Sequence, residues 1–278
     1  MKFILSRKGF DSQYGGHPSP VLPDGTMLSL PIPEVDSQML ACDSGCRYCQ
    51  LNLSGFPVNG CYCHLDPDIR PELHKNLPSN WCAALGQCGA AAKHLQNKDI
   101  ETNDIFLFFG LFQHWSQQEG FTGKPFQAVW GYMQIDKVID LKTYSEAIKN
   151  YSWHPHTKRC LNDDKAVHNP NLLYTAAKHL SFNTEYPGYG VFKYSSKLQL
   201  TCPGESLITH WDYKNLPWVE QCPKPSANMT YHNESNIHAG YFQAAARGQE
   251  FVIDKNKTQI TLDHFQTLLI LLNRKNLL

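Results

Sequence analysis

The chain is organised around a stretch near its N-terminus, Leu5-Ser-Arg-Lys-Gly-Phe-Asp-Ser-Gln-Tyr-Gly-Gly-His-Pro-Ser-Pro20. Before it, Lys2-Phe-Ile-Leu5 consists of apolar β-formers that a cluster of turn residues follows, which predicts a short strand. Glycines interrupt the polar residues after this strand, so the backbone there can adopt positive φ or approach a ligand closely. The stretch therefore predicts a strand that ends in a glycine-rich loop.

This N-terminal loop gathers side chains of the kinds that bind ligands. The candidates are Arg7, Lys8, Asp11, Tyr14, Gly15 and Gly16. Two cations, a flat ring and a permissive backbone suit an anionic or nucleotide-like group, so we expect these residues to bind substrate, with Asp11 as a candidate for catalysis. The alternative is a glycine-rich surface turn with solvated charges.

Composition sets the class of protein. The 278 residues are 42% hydrophobic, enough for a sizeable core, and 25 Lys+Arg balance 25 Asp+Glu. A balanced charge excludes a global polycationic field for nucleic acid, although a local groove remains possible. The first residues are too short an apolar stretch for a signal peptide, and no run reaches the length of a membrane span. We therefore expect a soluble, cytoplasmic protein without a membrane partner.

Ten cysteines in a cytoplasmic chain predict thiols or metal ligands in preference to disulfides. Residues 34–64 are polar, cysteine-rich and only weakly periodic, which is typical of a loop or insertion. A four-thiolate zinc site is one interpretation, with the ligands Cys46, Cys49, Cys61 and Cys63. Cys42-x3-Cys46-x2-Cys49 also has the spacing of a radical-SAM iron–sulfur motif, which we rank behind zinc or free thiols.

A stiff turn follows that segment, His64-Leu-Asp66-Pro-Asp68. The proline between the two aspartates restricts the backbone that carries their carboxylates. His64, Asp66 and Asp68 are therefore our main catalytic candidates, because such a group can bind a divalent cation, act as general acid and base, or accept from a base edge. The alternative is an Asx-type turn that caps local amides.

A second histidine pair occurs in His154-Pro-His156. Paired histidines can ligate a metal, but the local sequence shows no third ligand. We therefore interpret this segment as a solvated turn.

The remaining patterns predict strands between helices. Pro78-Ser-Asn-Trp81 is predicted to begin a helix whose apolar face runs to Leu95, with Gln87 as a polar contact. Asp104-Ile-Phe-Leu-Phe-Phe109 predicts a buried strand, and strands are also expected from Phe126 to Asp140. Thr261 to Leu272 predicts a helix that docks on the core. This order resembles a barrel more than a βαβ repeat.

Several blocks, in order, resemble the third type of nucleotide-modification-associated domain. They include Ser6-Arg-Lys-Gly-Phe-Asp11, Leu22-Pro-Asp-Gly25, His64-Leu-Asp-Pro-Asp68, Leu85-Gly-Gln87 and Gln249-Glu-Phe-Val252. The resemblance covers nearly the whole chain and implies one domain over residues 1–278. That family occurs in phages and bacteria and implies a role in DNA base modification, with nucleic acid or a nucleotide as partner.

The middle of the chain, from His94 to Val138, is similar to EVE/PUA-like barrels. This resemblance implies an α+β fold with a PUA/EVE-like β-barrel core and flanking helices. Such domains receive a base lifted out of its stack, which needs stacking rings and edge-reading polar groups. Phe109 and Trp130 are candidates for stacking and Gln87 for edge reading, while the alternative is that the rings are core residues.

Together these features predict a protein that binds and processes a modified or extruded base. We expect a base-modifying enzyme. The alternatives are a reader that binds a modified base without turnover and, behind it, a radical-SAM-type enzyme.

Overall fold

The chain is mostly β-structure with few helices in a computed structural model, which describes residues 1–11, 13–34, 46–58, 62–143, 145–157, 170–246 and 248–272. The strands are β1 (Phe3–Arg7), β2 (Ser19–Val21), β3 (Ile32–Pro33), β4 (Cys46–Arg47), β5 (Tyr62–His64), β6 (Ala84–Cys88), β7 (Ile105–Ser116), β8 (Gly120–Asp140), β9 (Asn171–Ala176), β10 (His179–Leu180), β11 (Asn183–Pro187), β12 (Tyr189–Val191), β13 (His210–Trp211), β14 (Ile237–His238), β15 (Tyr241–Gln243) and β16 (Glu250–Val252). The α-helices are α1 (Gly89–Asn97), α2 (Ser145–Asn150) and α3 (Thr258–Leu269).

These elements form two compact units. The first comprises Met1–Ser29, Asp104–Tyr132 and Gly190–Leu278, and the second comprises Leu30–Asn103 and Met133–Tyr189. A single domain over residues 1–278 stays a prediction.

The first unit contains mixed parallel and antiparallel pairing around β1. Strand β1 pairs with β7 in parallel, with Leu5 opposite Leu107, and with β16 antiparallel, with Ile4 opposite Val252. Strand β2 then joins β7, again in parallel, with Ser19 opposite Phe112. The strands predicted at residues 2–5 and 104–109 are therefore confirmed. The N-terminal loop, residues 8–18, connects two strands that pair with successive parts of β7.

Aromatic rings fill the core of the first unit. Phe108 stacks on Trp130 with ring centroids 5.5 Å apart, and Phe109 meets Trp211 edge-on at 5.4 Å. The predicted C-terminal helix is confirmed as α3, whose Phe265 packs against Tyr132 at 5.1 Å. The uninterrupted apolar run at the start of β7, residues 105–109, is stable here because both of its faces are buried.

In the second unit, β9 lies between β6 and the end of β8. Both pairings are antiparallel, with Gly86 and Ile139 opposite Leu173. The helix predicted from Pro78 onward is wrong in its first half, because Ala84–Cys88 is strand β6 and the helix begins only at Gly89. Ala84 and Leu85 are fully buried, so this strand packs on both faces. Its apolar residues mimic a helical stripe without forming one.

A small sheet in the second unit carries the cysteines. Strand β5 pairs with β3 and β4, and Cys63 on β5 lies opposite Cys46 on β4. In the part of the chain that the structure describes, no helix is long and apolar enough to cross a membrane. The PUA/EVE-like barrel and the cytoplasmic location stay predictions.

Candidate functional site: a histidine–aspartate cluster in the second unit

Four side chains of the second unit converge, and we call His64, Asp66, His154 and His156 the His–Asp cluster. His64 ends β5, and Asp66 lies in the turn that leads toward β6. The rings of His64 and His156 are 5.2 Å apart, and those of His154 and His156 are 5.7 Å apart. Segments about ninety residues apart in sequence therefore supply one cluster.

Asp66 is the acidic member of the cluster. Its side chain is only 4% exposed. Oδ1 accepts a hydrogen bond of 2.6 Å from the backbone N–H of Gly86 and lies 3.4 Å from Nε2 of His154. Oδ2 lies 3.8 Å from Nε2 of His156. The carboxylate is thus held by β6 on one side and faces two imidazoles on the other.

The tautomer of His156 follows from its contact with Asn171. Nδ1 of His156 lies 2.9 Å from Oδ1 of Asn171, and Nδ2 of Asn171 donates to the backbone carbonyl of His156. The second bond fixes the amide orientation, so Nδ1 must donate and Nε2 keeps its lone pair. Burial lowers the pKa of His156 to about 3, although the charge of Asp66 opposes this shift. The ring is therefore neutral near pH 7.

His154 and His64 are also held in defined orientations. Nδ1 of His154 accepts from the backbone N–H of His156, so a neutral His154 carries its proton on Nε2, next to Asp66. Nδ1 of His64 lies 3.4 Å from a carboxylate oxygen of Glu34. Each histidine of the cluster therefore has a polar neighbour that selects its protonated nitrogen.

Gly86 leaves the space that the His156 ring occupies. A Cβ atom at this position would lie 2.8 Å from Nε2 of His156 and still closer to other ring atoms. Glycine here permits the close approach of the ring to strand β6. Position 86 thus helps to shape the cluster as well as to orient Asp66.

Asp68, the second aspartate of the turn, belongs to a separate buried network. Its carboxylate accepts from Nε2 of His74 at 2.8 Å and from the indole N–H of Trp81 at 3.0 Å. Its backbone exchanges two hydrogen bonds with Ala84 at the start of β6. Burial alone would lower the pKa of His74, but the hydrogen bond and charge of Asp68 raise it above its ordinary value. These contacts anchor the turn to β6, and a catalytic role for Asp68 stays a prediction.

The cluster contains a possible metal-binding group. His64, Asp66 and His156 each offer one ligand atom, and these atoms all lie within 4.8 Å of one another. Two imidazoles and a carboxylate are common ligands of zinc and of non-haem iron.

The cysteine site stays a prediction, because Cys61 and Cys42 lie outside the described residues. Of the other predicted ligands, Cys46 faces Cys63 across the small sheet, and Cys49 is exposed. A hydrogen bond between the two facing thiols, followed by burial, raises the pKa of Cys63. None of the cysteines among the described residues forms a disulfide.

The two candidate cations, Arg7 at the end of β1 and Lys8 at the start of the N-terminal loop, contact groups of the protein. The guanidinium of Arg7 donates to the backbone carbonyls of Ala245 and Ala246 at 2.8 and 2.7 Å, and burial lowers its pKa. Nζ of Lys8 lies 3.7 Å from Glu250. The loop belongs to the first unit and Asp66 to the second, so a shared cavity and a phosphate-binding role stay predictions.

The rest of the loop is built around Asp11. Its carboxylate accepts from the backbone N–H groups of Gln13 and Tyr14 at 2.8 and 2.7 Å, which is the geometry of an Asx turn. Gly15 and Gly16 have φ of +91° and +77°, and Tyr14 is 39% exposed. These contacts explain the order of the loop, whereas catalysis by Asp11 and substrate binding by its neighbours stay predictions.

The candidate base-binding residues are buried. Phe109 and Trp130 belong to the aromatic core of the first unit and are 0% and 1% exposed. Gln87 lies on β6 and is also buried. A base would stack on either ring only after neighbouring core residues moved, and these roles stay predictions.

The solvated turn predicted for His154-Pro-His156 is wrong. His154 and His156 are 0% and 4% exposed, because both rings pack beside Asp66. The sequence contained one usable signal, since each of the two distant segments carries a histidine two positions from a second ligand-type residue. Neither segment alone supplies a complete set.

A family model described as nucleotide modification associated domain 3 matches residues 2–254. This confirms the resemblance carried by the blocks between Ser6 and Val252. No curated protein and no solved structure is significantly similar to the chain.

Proposed function

The chain belongs to the nucleotide modification associated domain 3 family, and on that premise we propose that it binds and processes a nucleobase, in a nucleic acid or a nucleotide. The His–Asp cluster is the proposed reaction centre. The buried carboxylate of Asp66 beside the unprotonated Nε2 of His156 is the observation that carries this proposal.

Burial of such a group is costly unless it is paired. An isolated carboxylate loses its hydration in the interior, so buried carboxylates with perturbed neighbours concentrate at functional sites. Oδ1 of Asp66 accepts a short hydrogen bond from the backbone N–H of Gly86, and Oδ2 lies 3.8 Å from the unprotonated Nε2 of His156. This arrangement supports a reactive centre over a purely structural turn.

The proposed roles follow from the protonation states. Asp66 would accept a proton from, or orient, a reacting group, because an ionised carboxylate is an acceptor only. His156 is a weak base, because its lowered pKa gives it little affinity for a proton near pH 7. Asp68, through Ala84 and His74, would hold the turn that carries Asp66.

The test compares nucleosides in cells that express the protein or its variants. Asp66→Asn keeps an oxygen for the Gly86 N–H but removes the charge, and the exposed Asp136→Asn is the matched control. DNA, RNA and the free nucleotide pool are digested to nucleosides and analysed by mass spectrometry.

An enzyme should change the abundance of a nucleoside in cells that express the wild type or Asp136→Asn, and not in cells that express Asp66→Asn. If all three proteins leave every pool unchanged, the enzymatic proposal fails. Retention of a modified nucleic acid by all three, without any change in it, would instead identify a reader.

A further inference from the structure

Two electron-rich atoms face each other in the His–Asp cluster. Nε2 of His156 has a lone pair, because Nδ1 donates its proton to Asn171. It lies 3.8 Å from Oδ2 of Asp66, too far for a direct hydrogen bond. A cation between the two atoms would interact favourably with both.

His64 completes a third side of the same space. A ring proton on Nδ1, toward the Glu34 carboxylate 3.4 Å away, leaves the lone pair on Nε2 for a metal ion. Its ring centroid is 5.2 Å from that of His156. Two imidazoles and one carboxylate therefore surround one point.

The separations suit a metal ion. Ligand atoms at bond lengths of about 2.1 Å and tetrahedral angles lie about 3.4 Å from one another. The ligand atoms of His64, Asp66 and His156 all lie within 4.8 Å of one another, and Nε2 of His156 is 3.8 Å from Oδ2 of Asp66. Small side-chain rotations would bring all three to bonding distance.

We infer that His64, Asp66 and His156 bind one divalent transition-metal ion of the class of zinc or ferrous iron. Nitrogen and carboxylate ligands suit both ions, and three protein ligands leave a coordination position for water or substrate. The catalytic use of the ion rests on the proposed function, whereas its binding is tested separately below.

Neighbouring residues would orient the ligands. Asn171 accepts from Nδ1 of His156, and a carboxylate oxygen of Glu34 lies 3.4 Å from Nδ1 of His64; orienting the ligands is the usual role of such outer partners at metal sites. His154 is a positioning residue and not a ligand, because its Nδ1 accepts from the backbone N–H of His156 and its Nε2 faces Asp66. Replacing Asn171 with Ala should weaken the binding of the ion by about 10–100-fold.

The experiment measures metal content and affinity in the full chain. The protein is purified with and without oxygen, and its zinc and iron are quantified by mass spectrometry. It is then stripped with a chelator and titrated with zinc, ferrous iron or cobalt. We expect one ion per chain, and a cobalt spectrum of nitrogen and oxygen ligands without thiolate charge-transfer bands.

Variants separate this site from the cysteines. Asp66→Asn and His156→Gln should weaken binding at least about 100-fold, while exposed His179→Gln and the double variant Cys46→Ser/Cys63→Ser should bind as wild type. Circular dichroism tests whether each variant is folded. If a variant does not fold, the cobalt spectrum of the wild type still shows whether the ligands are nitrogen and oxygen atoms or thiolates.

Absence of stoichiometric binding, thiolate bands in the cobalt spectrum, or loss of the ion only in the cysteine variant would overturn the inference. The readout also separates the two proposals. An ion bound without any nucleoside change refutes the function alone, and a nucleoside change by a protein that binds no ion refutes the site alone.

Discussion

Replacing Gly86 with Ala tests how tightly the His–Asp cluster is packed. The new Cβ would lie 2.8 Å from Nε2 of His156, whereas ordinary van der Waals contact begins at 3.4 Å. Nε2 must therefore move by about 0.6 Å or more. Metal–ligand distances tolerate only about 0.2 Å, so this shift is sufficient to displace the ligand.

The sign of the stability change is diagnostic. Replacing Gly with Ala within a strand usually stabilises the folded protein by about 0.5–1 kcal/mol, because the chain then loses less conformational entropy when it folds. Overpacking against His156 should instead lower the free energy of unfolding by about 1–3 kcal/mol. Equilibrium urea unfolding measures the stability, and metal titration of the same samples measures the ligand shift.

His156→Ala supplies the matched background, because it removes the ring that the new methyl group meets. In that background Gly86→Ala should cost little or should stabilise the protein. Equal costs in the two backgrounds, within about 0.5 kcal/mol, would refute the packing argument.

Three further predictions concern neighbouring groups of the second unit. Asp68→Asn should lower the free energy of unfolding by about 3 kcal/mol, because it breaks the buried pair with His74 and weakens the Trp81 contact; a urea titration that shows no loss would contradict this. The raised pKa of His74 gives stability that is complete below about pH 6.5 and is lost as pH rises through the higher folded-state pKa. The difference in urea midpoint between wild type and His74→Gln should therefore be larger near pH 6 than near pH 9, and a constant difference would disprove the linkage. The exposed thiol of Cys49 should react promptly with a thiol reagent and buried Cys63 only after unfolding, as peptide mapping would show; similar rates would argue against the described burial.

Local patterns were sufficient for some strands of the first unit, such as β7. The run from Asp104 to Phe109 has no polar side chain after its first residue, so only a strand or helix buried on all sides can accommodate it. Its length and the turn residues around it favour a strand, and β7 confirms this. The terminal helix was predictable for a similar reason, because its periodic apolar residues reach Leu272.

The segment from Trp81 to Leu95 shows where local pattern fails. Its apolar residues repeat at intervals of three and four, but the repeat spans strand β6 and helix α1. What decides the first half is the pairing of Gly86 with Leu173, far away in the sequence. Local residue propensities cannot predict a pairing between segments so far apart in the sequence.

The candidate site divides in the same way. Local sequence identified His64 and Asp66, because a short polar turn with a proline is conspicuous. The sequence alone does not identify His154 and His156 as part of the site, because their partner Asp66 lies about ninety residues earlier and only folding brings them together. The carboxamide of Asn171, which fixes the tautomer, had no sequence signal at all.

The pairing of β1 and β2 with successive parts of β7 has a consequence for variation in the N-terminal loop. Each flanking strand is held in register by its own ladder, so the length of residues 8–18 does not determine the register of either. Insertions and deletions there should leave the sheet unchanged, because closing a longer loop adds only about 0.6 kcal/mol for each doubling of its length. The exposed part of the loop can therefore vary in length and sequence, whereas buried Phe10 holds the beginning of the loop in the core.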